Sequence, residues 1–315
     1  MTDSPATSAR AFTERAVTFA RGAERLTGVL ALPDAGARGA CLVLHGWGSN
    51  RTGPHRVLVD LARALAGGGV AALRFDHAGR GDSTGAFLEA DLDTMIDDAL
   101  AAAAFLRGET SAERLSGFGL CSGGNIALGA AALEPCFERL VCVSTLPFQG
   151  QRTRAADRAR CAGRAAHLAR RLLSPRAWGR VLRAPARLGA ALRYLFARER
   201  GAAVRTTPEG EMRNLKASRR DLVAALGRWR GRALFLYGGA DREGEAGWSD
   251  AWAPLAHENG LAMERSTIEG ANHNFYGLPW REALIESAVR FLCGTRSVVK
   301  GNGFSDGGGG PSGCA

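Results

Sequence analysis

The chain has 315 residues, 46% of them hydrophobic, and a formal net charge of +10, enough for one large α/β domain with an insertion or for two modest domains. The first ten residues lack the apolar stretch of a secretory signal, and no run of about 18 apolar residues is free of charge, so neither export nor stable membrane insertion is expected. The seven cysteines are scattered, with no C-x-x-C pair and no zinc spacing, which argues against a disulfide framework or a metal site and fits free thiols in a reducing, cytoplasmic setting.

Residues Ala16 to Ala20 and Leu26 to Leu32 read as a β-hairpin. Leu42 to Leu44 is a short apolar run, as for a strand buried on both faces. It ends in His45-Gly46-Trp47-Gly48. A helical pattern follows from His55 to Leu65, then a buried strand from Val70 to Phe75. That strand enters a glycine-punctuated loop, Asp76 to Gly85, in which Asp76, Gly79, Gly81 and Ser83 are expected to tie down the chain. Leu92 to Phe105 reads as a helix.

The next stretch organises the rest. A strand, Leu115 to Leu120, runs into Cys121-Ser122-Gly123-Gly124, and a helical segment, Asn125 to Leu133, leads out. Gly119-Leu120-Cys121-Ser122-Gly123 fits the nucleophile elbow, Gly-x-nucleophile-x-Gly, with Cys121 at the nucleophile position. Gly119 and Gly123 flank a turn too sharp for side chains. Cys121 would sit at a helix N-terminus, where free N–H groups favour a thiolate.

Leu140 to Ser144 reads as a further strand, after which the strand–helix alternation lapses until Arg232. Residues 150–232 carry 22 basic and 5 acidic side chains, a net charge of +17, so the remainder of the chain is net acidic. Candidate helices span about 155–173, 176–198 and 218–229, and the block reads as an arginine-rich helical cap. Ala233 to Tyr237 resumes the sheet and ends in Gly238-Gly239-Ala240-Asp241. A helix near Trp248 to Glu258, a strand from Ala262 to Ile268, a loop holding His273 and a closing helix from Arg281 to Leu292 complete the pattern. The expected division is a core over 1–147 and 232–296, a cap over 148–231, and a glycine-rich tail over 297–315. Alternating units of this kind imply a mostly parallel sheet with helices on both faces, an α/β fold whose ligands sit at the carboxyl ends of the strands.

Cys121, Asp241 and His273 each follow an apolar strand, in the chain order nucleophile, acid, histidine. His273 would activate the thiol and Asp241 would orient the ring. Backbone N–H groups of Trp47 and Ser122 would form an oxyanion hole, with His45, Gly46 and Asp76 as structural loop residues.

Together, His45-Gly46-Trp47-Gly48, Arg74-Phe75-Asp76 with Gly79-x-Gly81-Asp82-Ser83, Gly119-x-Cys121-x-Gly123, Gly239-x-Asp241 and Gly270-x-x-His273-x-Phe275 resemble the α/β-hydrolase superfamily over about residues 14–295. Within it the chain is similar to exosortase A system-associated hydrolases, which also carry cysteine at the elbow, and to standalone hydrolases of polyketide and nonribosomal peptide clusters. Dienelactone hydrolases share the cysteine and lack so large a cap. The resemblance implies acyl chemistry on an ester or thioester through a Cys121 acyl-enzyme, without a cofactor. Hydrolysis, transfer to an acceptor and ring closure are all compatible with it. The rivals are carbon–carbon bond cleavage on the same scaffold and a non-catalytic receptor, against which the Asp241/His273 pair argues. The basic cap suits an acyl carrier protein or coenzyme A thioester as partner. Nucleic acid is not expected, because no aromatic residues interleave with the basic run.

Overall fold

The computed structural model describes residues 11–112, 114–148, 206–207, 210–211 and 216–294. The expected cap helices over 155–173 and 176–198, and the tail over 297–315, lie outside the described residues.

Eight strands form one sheet. They are β1 (Phe12–Arg21), β2 (Glu24–Pro33), β3 (Gly39–Leu44), β4 (Val70–Phe75), β5 (Leu115–Leu120), β6 (Phe137–Val143), β7 (Arg232–Gly238) and β8 (Ala262–Ile268), in the order β1-β2-β4-β3-β5-β6-β7-β8. From β4 to β8 every neighbouring pair is parallel; β1 and β2 are antiparallel to each other, and β2 is antiparallel to β4. The strands after the first hairpin alternate side chains between two apolar layers. Leu42, Leu44, Leu73 and Phe75 pack into one cluster with α2 (Leu92–Thr110) and α3 (Ser122–Leu133). Cys41, Val43, Ala72 and Phe118 pack into the other with α1 (Val57–Gly67) and the last helix, Leu278–Cys293. Parallel strands covered on both sides read as unbroken apolar runs, which is why the sequence exposed them so clearly.

Several boundaries move. The hairpin is longer than its apolar pattern, because Phe12 to Arg15 pair with Leu30 to Pro33 while facing solvent in alternation. Strand β6 starts at Phe137 and stops at Val143, since Ser144 turns into the left-handed region at φ 48°. The expected helix over 218–229 shortens to α4 (Leu222–Leu226), capped by the Asp221 side chain on the Ala224 N–H. Its Leu222 and Leu226, with Trp229, join the core against α3, and the Trp229 indole donates to the Phe137 carbonyl at 2.8 Å. Arg242–Gly247 (α5) runs through a π-helical turn, Trp248–Trp252, into α6 (Ala253–Asn259), so that helix begins earlier than its pattern suggests. The closing helix is α7. Among the described residues no helix is long and apolar enough to cross a membrane.

One buried ionic group holds the active edge. Asp98 on α2 accepts from Arg21 Nε at 2.6 Å, from the Ala78 N–H at 2.9 Å and from His77 Nδ1 at 3.3 Å. Burial raises its pKa, and these donors more than reverse that and hold it below the usual carboxylate range. Asp98→Ala leaves a guanidinium and two N–H groups without their acceptor, and is expected to cost about 3–5 kcal/mol of unfolding free energy, read as a lower urea midpoint.

Candidate active site

The elbow is built on crowding. Cys121 stands between β5 and α3 at φ 57° and ψ −121°, a conformation that costs about 1–3 kcal/mol and persists only where neighbours impose it. The Cys121 N–H donates to the Val143 carbonyl at 2.7 Å, and its own carbonyl accepts from the Gly124 N–H at 3.0 Å and the Thr145 hydroxyl at 3.3 Å. Thr145 is fixed in turn, since its carbonyl accepts from the Tyr237 hydroxyl at 2.9 Å and the Trp252 indole at 3.2 Å. A Cβ at Gly119 would lie 2.2 Å from the Gly123 carbonyl oxygen, and one at Gly123 would lie 2.4 Å from that of Leu44. Both positions therefore demand glycine: the strand and helix meet backbone to backbone.

The three residues expected to act together meet at this edge. His273 Nδ1 donates to Asp241 Oδ2 at 2.9 Å, and the ring and the Cys121 sulfur lie near enough to shift each other's pKa. Asp241 Oδ1 caps α5 by accepting the Gly244 N–H at 3.3 Å, so the residue serves both as helix cap and as ring orienter. Backbone bonds from Gly239 to Ile268 and from Ala240 to Ala271, both 2.9 Å, draw the Asp241 loop against the His273 loop.

The electrostatics favour a thiolate–imidazolium pair. Burial raises the Cys121 pKa; the His273 hydrogen bond and charge, the Lys216 charge and the Ser122 N–H outweigh it, and the thiol is held below its ordinary value. Burial pulls the His273 imidazole down, but Asp241 and Cys121 push it up to about 10. Burial likewise raises Asp241, while His273 chiefly brings it below the usual range. The other described cysteines, Cys41, Cys136, Cys142 and Cys293, are all pushed up, first by burial. Cys121 alone among the described thiols is lowered.

Of the two expected oxyanion donors, the Trp47 N–H already has a partner. The Ser122 N–H lies beside the Cys121 sulfur and favours its thiolate. The Trp47 N–H donates to Ser122 Oγ at 2.7 Å, so the hydroxyl sits where the expected oxyanion would bind. Gly46 lies against the elbow, where a Cβ would be 3.2 Å from the Leu120 carbonyl oxygen. His45 is fully buried; it donates from Nδ1 to the Gly46 carbonyl at 2.8 Å and accepts the His77 N–H at 3.3 Å. Burial, with His77 beside it, drives its pKa well down and keeps it neutral. Asp76 accepts the Arg51 N–H at 2.7 Å, the Asp82 N–H at 3.0 Å and the Arg51 guanidinium, and so staples two loops.

Two cations at the site were not expected from the sequence. Arg80, 4% exposed, lies over the Trp47 and Phe87 rings at 5.1 and 4.7 Å and donates from Nε to the Trp47 carbonyl at 2.8 Å. It thereby pins the loop that presents the Trp47 N–H. Lys216 also approaches Trp47, 5.9 Å from the ring centroid. The one signal that could have singled it out is rarity: it is one of two lysines among 41 basic residues. Among the described residues no group of histidine, cysteine and carboxylates could hold a metal ion.

A family model described as Hydrolase_4, serine aminopeptidase S33, matches residues 35–276. Among solved structures, a dienelactone hydrolase from Anabaena variabilis is 17% identical, with a TM-score of 0.56 over 89% of this chain and 97% of its own. An esterase from Pyrococcus furiosus is 16% identical, with a TM-score of 0.59 over 89% of this chain and 92% of its own. Est1E from Butyrivibrio proteoclasticus, solved with ferulic acid bound, is 16% identical, with a TM-score of 0.55 over 88% of this chain and 99% of its own. At such identities the likeness is one of fold. No curated protein matches the sequence.

Proposed function

The chain belongs to the Hydrolase_4 family of α/β hydrolases, and from that premise we propose that it is an acyl hydrolase or acyltransferase working through a Cys121 acyl-enzyme, with His273 and Asp241 completing the triad. The observation that carries this reading is the 2.9 Å bond from His273 Nδ1 to Asp241 Oδ2, beside a Cys121 thiol that His273 holds below its ordinary pKa. The family name speaks of a serine enzyme; the elbow here presents sulfur instead.

The Cys121 thiolate attacks the acyl carbon of an ester or thioester. The carbonyl oxygen becomes an oxyanion and is held by the Ser122 and Trp47 N–H groups. The bond to the leaving group then breaks, and the leaving oxygen or sulfur takes the proton from His273 Nε2. In the second half an acceptor hydroxyl, amine, thiol or water attacks the thioester, gives its proton to His273, and the sulfur departs as thiolate. Asp241 holds the ring in the tautomer that leaves Nε2 facing the sulfur. The +17 charge of residues 150–232 suits a donor carried on an acyl carrier protein or coenzyme A, whose phosphates arginine binds in a bidentate way.

Incubation with short thioesters, followed by intact-protein mass spectrometry, is expected to show one added acyl group on the peptide holding Cys121. Absence of any adduct, with turnover present, would reject covalent catalysis. The pH dependence follows from the shifts. The lowered Cys121 pKa keeps the thiolate below the ordinary thiol range, and activity is lost only as pH falls through that lowered value. The raised His273 pKa keeps its proton available until pH passes about 10. A bell-shaped kcat/KM profile with a broad neutral plateau is therefore expected. A profile that only begins to rise near the ordinary thiol pKa would contradict the ion pair.

A further inference from the structure

A cavity of about 50 Å³ opens beside Cys121, walled by Trp47, Leu92, Leu146 and Phe148, with Lys216 at its border. At about 10–15 Å³ for each water-sized group, it takes roughly three to five non-hydrogen atoms, too few for a fatty chain. The walls are mainly apolar, and the cation among the described lining residues, the exposed Lys216, has no carboxylate partner among the described residues; its ammonium lies 5.9 Å from the Trp47 ring centroid and its charge favours the Cys121 thiolate. Apolar walls with an ammonium at the border suit a short chain that ends in an anion.

We propose that this cavity is an acyl subsite for short acyl groups ending in a carboxylate, with Lys216 as the residue that binds the distal charge. The proposal rests on the Cys121 acyl-enzyme reading for its place in catalysis, and names the substrate class as half-thioesters or half-esters of small dicarboxylic acids, of malonyl or succinyl size. The acyl carbonyl lies at the sulfur, the methylene groups lie along Trp47 and Phe148, and the far carboxylate meets the ammonium. Lys216 also adds positive charge near the thiolate, so one side chain serves both the nucleophile and the substrate's end.

The test compares two alkylating agents of nearly equal size on the full chain, one anionic and one neutral. Iodoacetate and iodoacetamide both place a two-carbon group on the Cys121 sulfur and release iodide. The iodoacetate-to-iodoacetamide rate ratio, divided by the same ratio for N-acetylcysteine, is expected to exceed one in the native protein. It should fall about tenfold in Lys216→Met, the size of a charge-assisted contact, and recover in Lys216→Arg. Taking a ratio cancels any change in thiolate fraction, and comparing the variants at a pH where His273 stays protonated keeps the pull of its charge on iodoacetate common to all of them. In parallel, the selectivity for succinyl over butyryl thioesters in acyl-enzyme formation should fall about tenfold in Lys216→Met. An unchanged ratio in Lys216→Met, in either assay, overturns the subsite. The alkylation ratio remains measurable even if no thioester acylates the protein, so failure of the subsite and failure of the acyl-enzyme reading are told apart.

Discussion

Cys121→Ala is expected to give a folded protein that accepts no acyl group from any ester or thioester, with kcat reduced by about 10⁴–10⁶-fold. The fold should persist because the elbow is held by backbone contacts, the Cys121 N–H to Val143 and the Gly124 N–H to Cys121, and none of these uses the sulfur. Removing Sγ takes away the nucleophile and the charge partner of His273 together. The ring pKa should then fall back, because one of its two anionic neighbours is gone. Intact-protein mass spectrometry reads the first effect and a histidine NMR titration reads the second. Persistence of the same acyl adduct in this variant would place the nucleophile elsewhere.

Asp241→Asn is expected to lower kcat by about 10⁴-fold while leaving the urea midpoint nearly unchanged. The two outcomes separate because the carboxylate has two jobs. An amide oxygen can still accept the Gly244 N–H that caps α5, so helix stability survives. It cannot stabilise the imidazolium, and it can turn its NH₂ group to His273 Nδ1, which moves the ring proton to the nitrogen facing the sulfur. Asp241→Ala, by contrast, loses the cap as well, at about 1 kcal/mol. A loss of activity that tracked stability across these two variants would make Asp241 a helix cap alone.

Most of the scaffold could be read from the chain because buried parallel strands leave largely apolar runs, and β4 and β5 match their patterns end to end; β8 also keeps its expected bounds, although it is an edge strand without a buried residue. The elbow could be read because glycine at 119 and 123 is a steric requirement, visible as residue type. Asp241 and His273 could be read because each follows a strand at a fixed short distance. Lys216 and Arg80 could not. Their roles depend on where loops far apart in sequence return over the Trp47 ring, and no local pattern encodes that. The side chain of Ser122 was equally hidden: its backbone place follows from the elbow, whereas its bond to Trp47 depends on a rotamer. Helix α4 was over-read because arginines continue the helical spacing on both sides, while Asp221 and Gly227 stop the backbone at either end.

On the proposed acyl-enzyme mechanism, the hydroxyl of Ser122 on the Trp47 N–H is a lodger in the seat of the oxyanion. A planar, uncharged carbonyl offers that N–H little that the hydroxyl does not already provide, so arrival alone brings scant gain. Once the sulfur has added and the oxygen carries a full charge, the bargain changes, since a bond to an ion is worth roughly twice one to a neutral oxygen. The lodger then yields. On that mechanism eviction is deferred to the moment of bond formation, and the site is expected to grip the tetrahedral species more firmly than the compound that enters it.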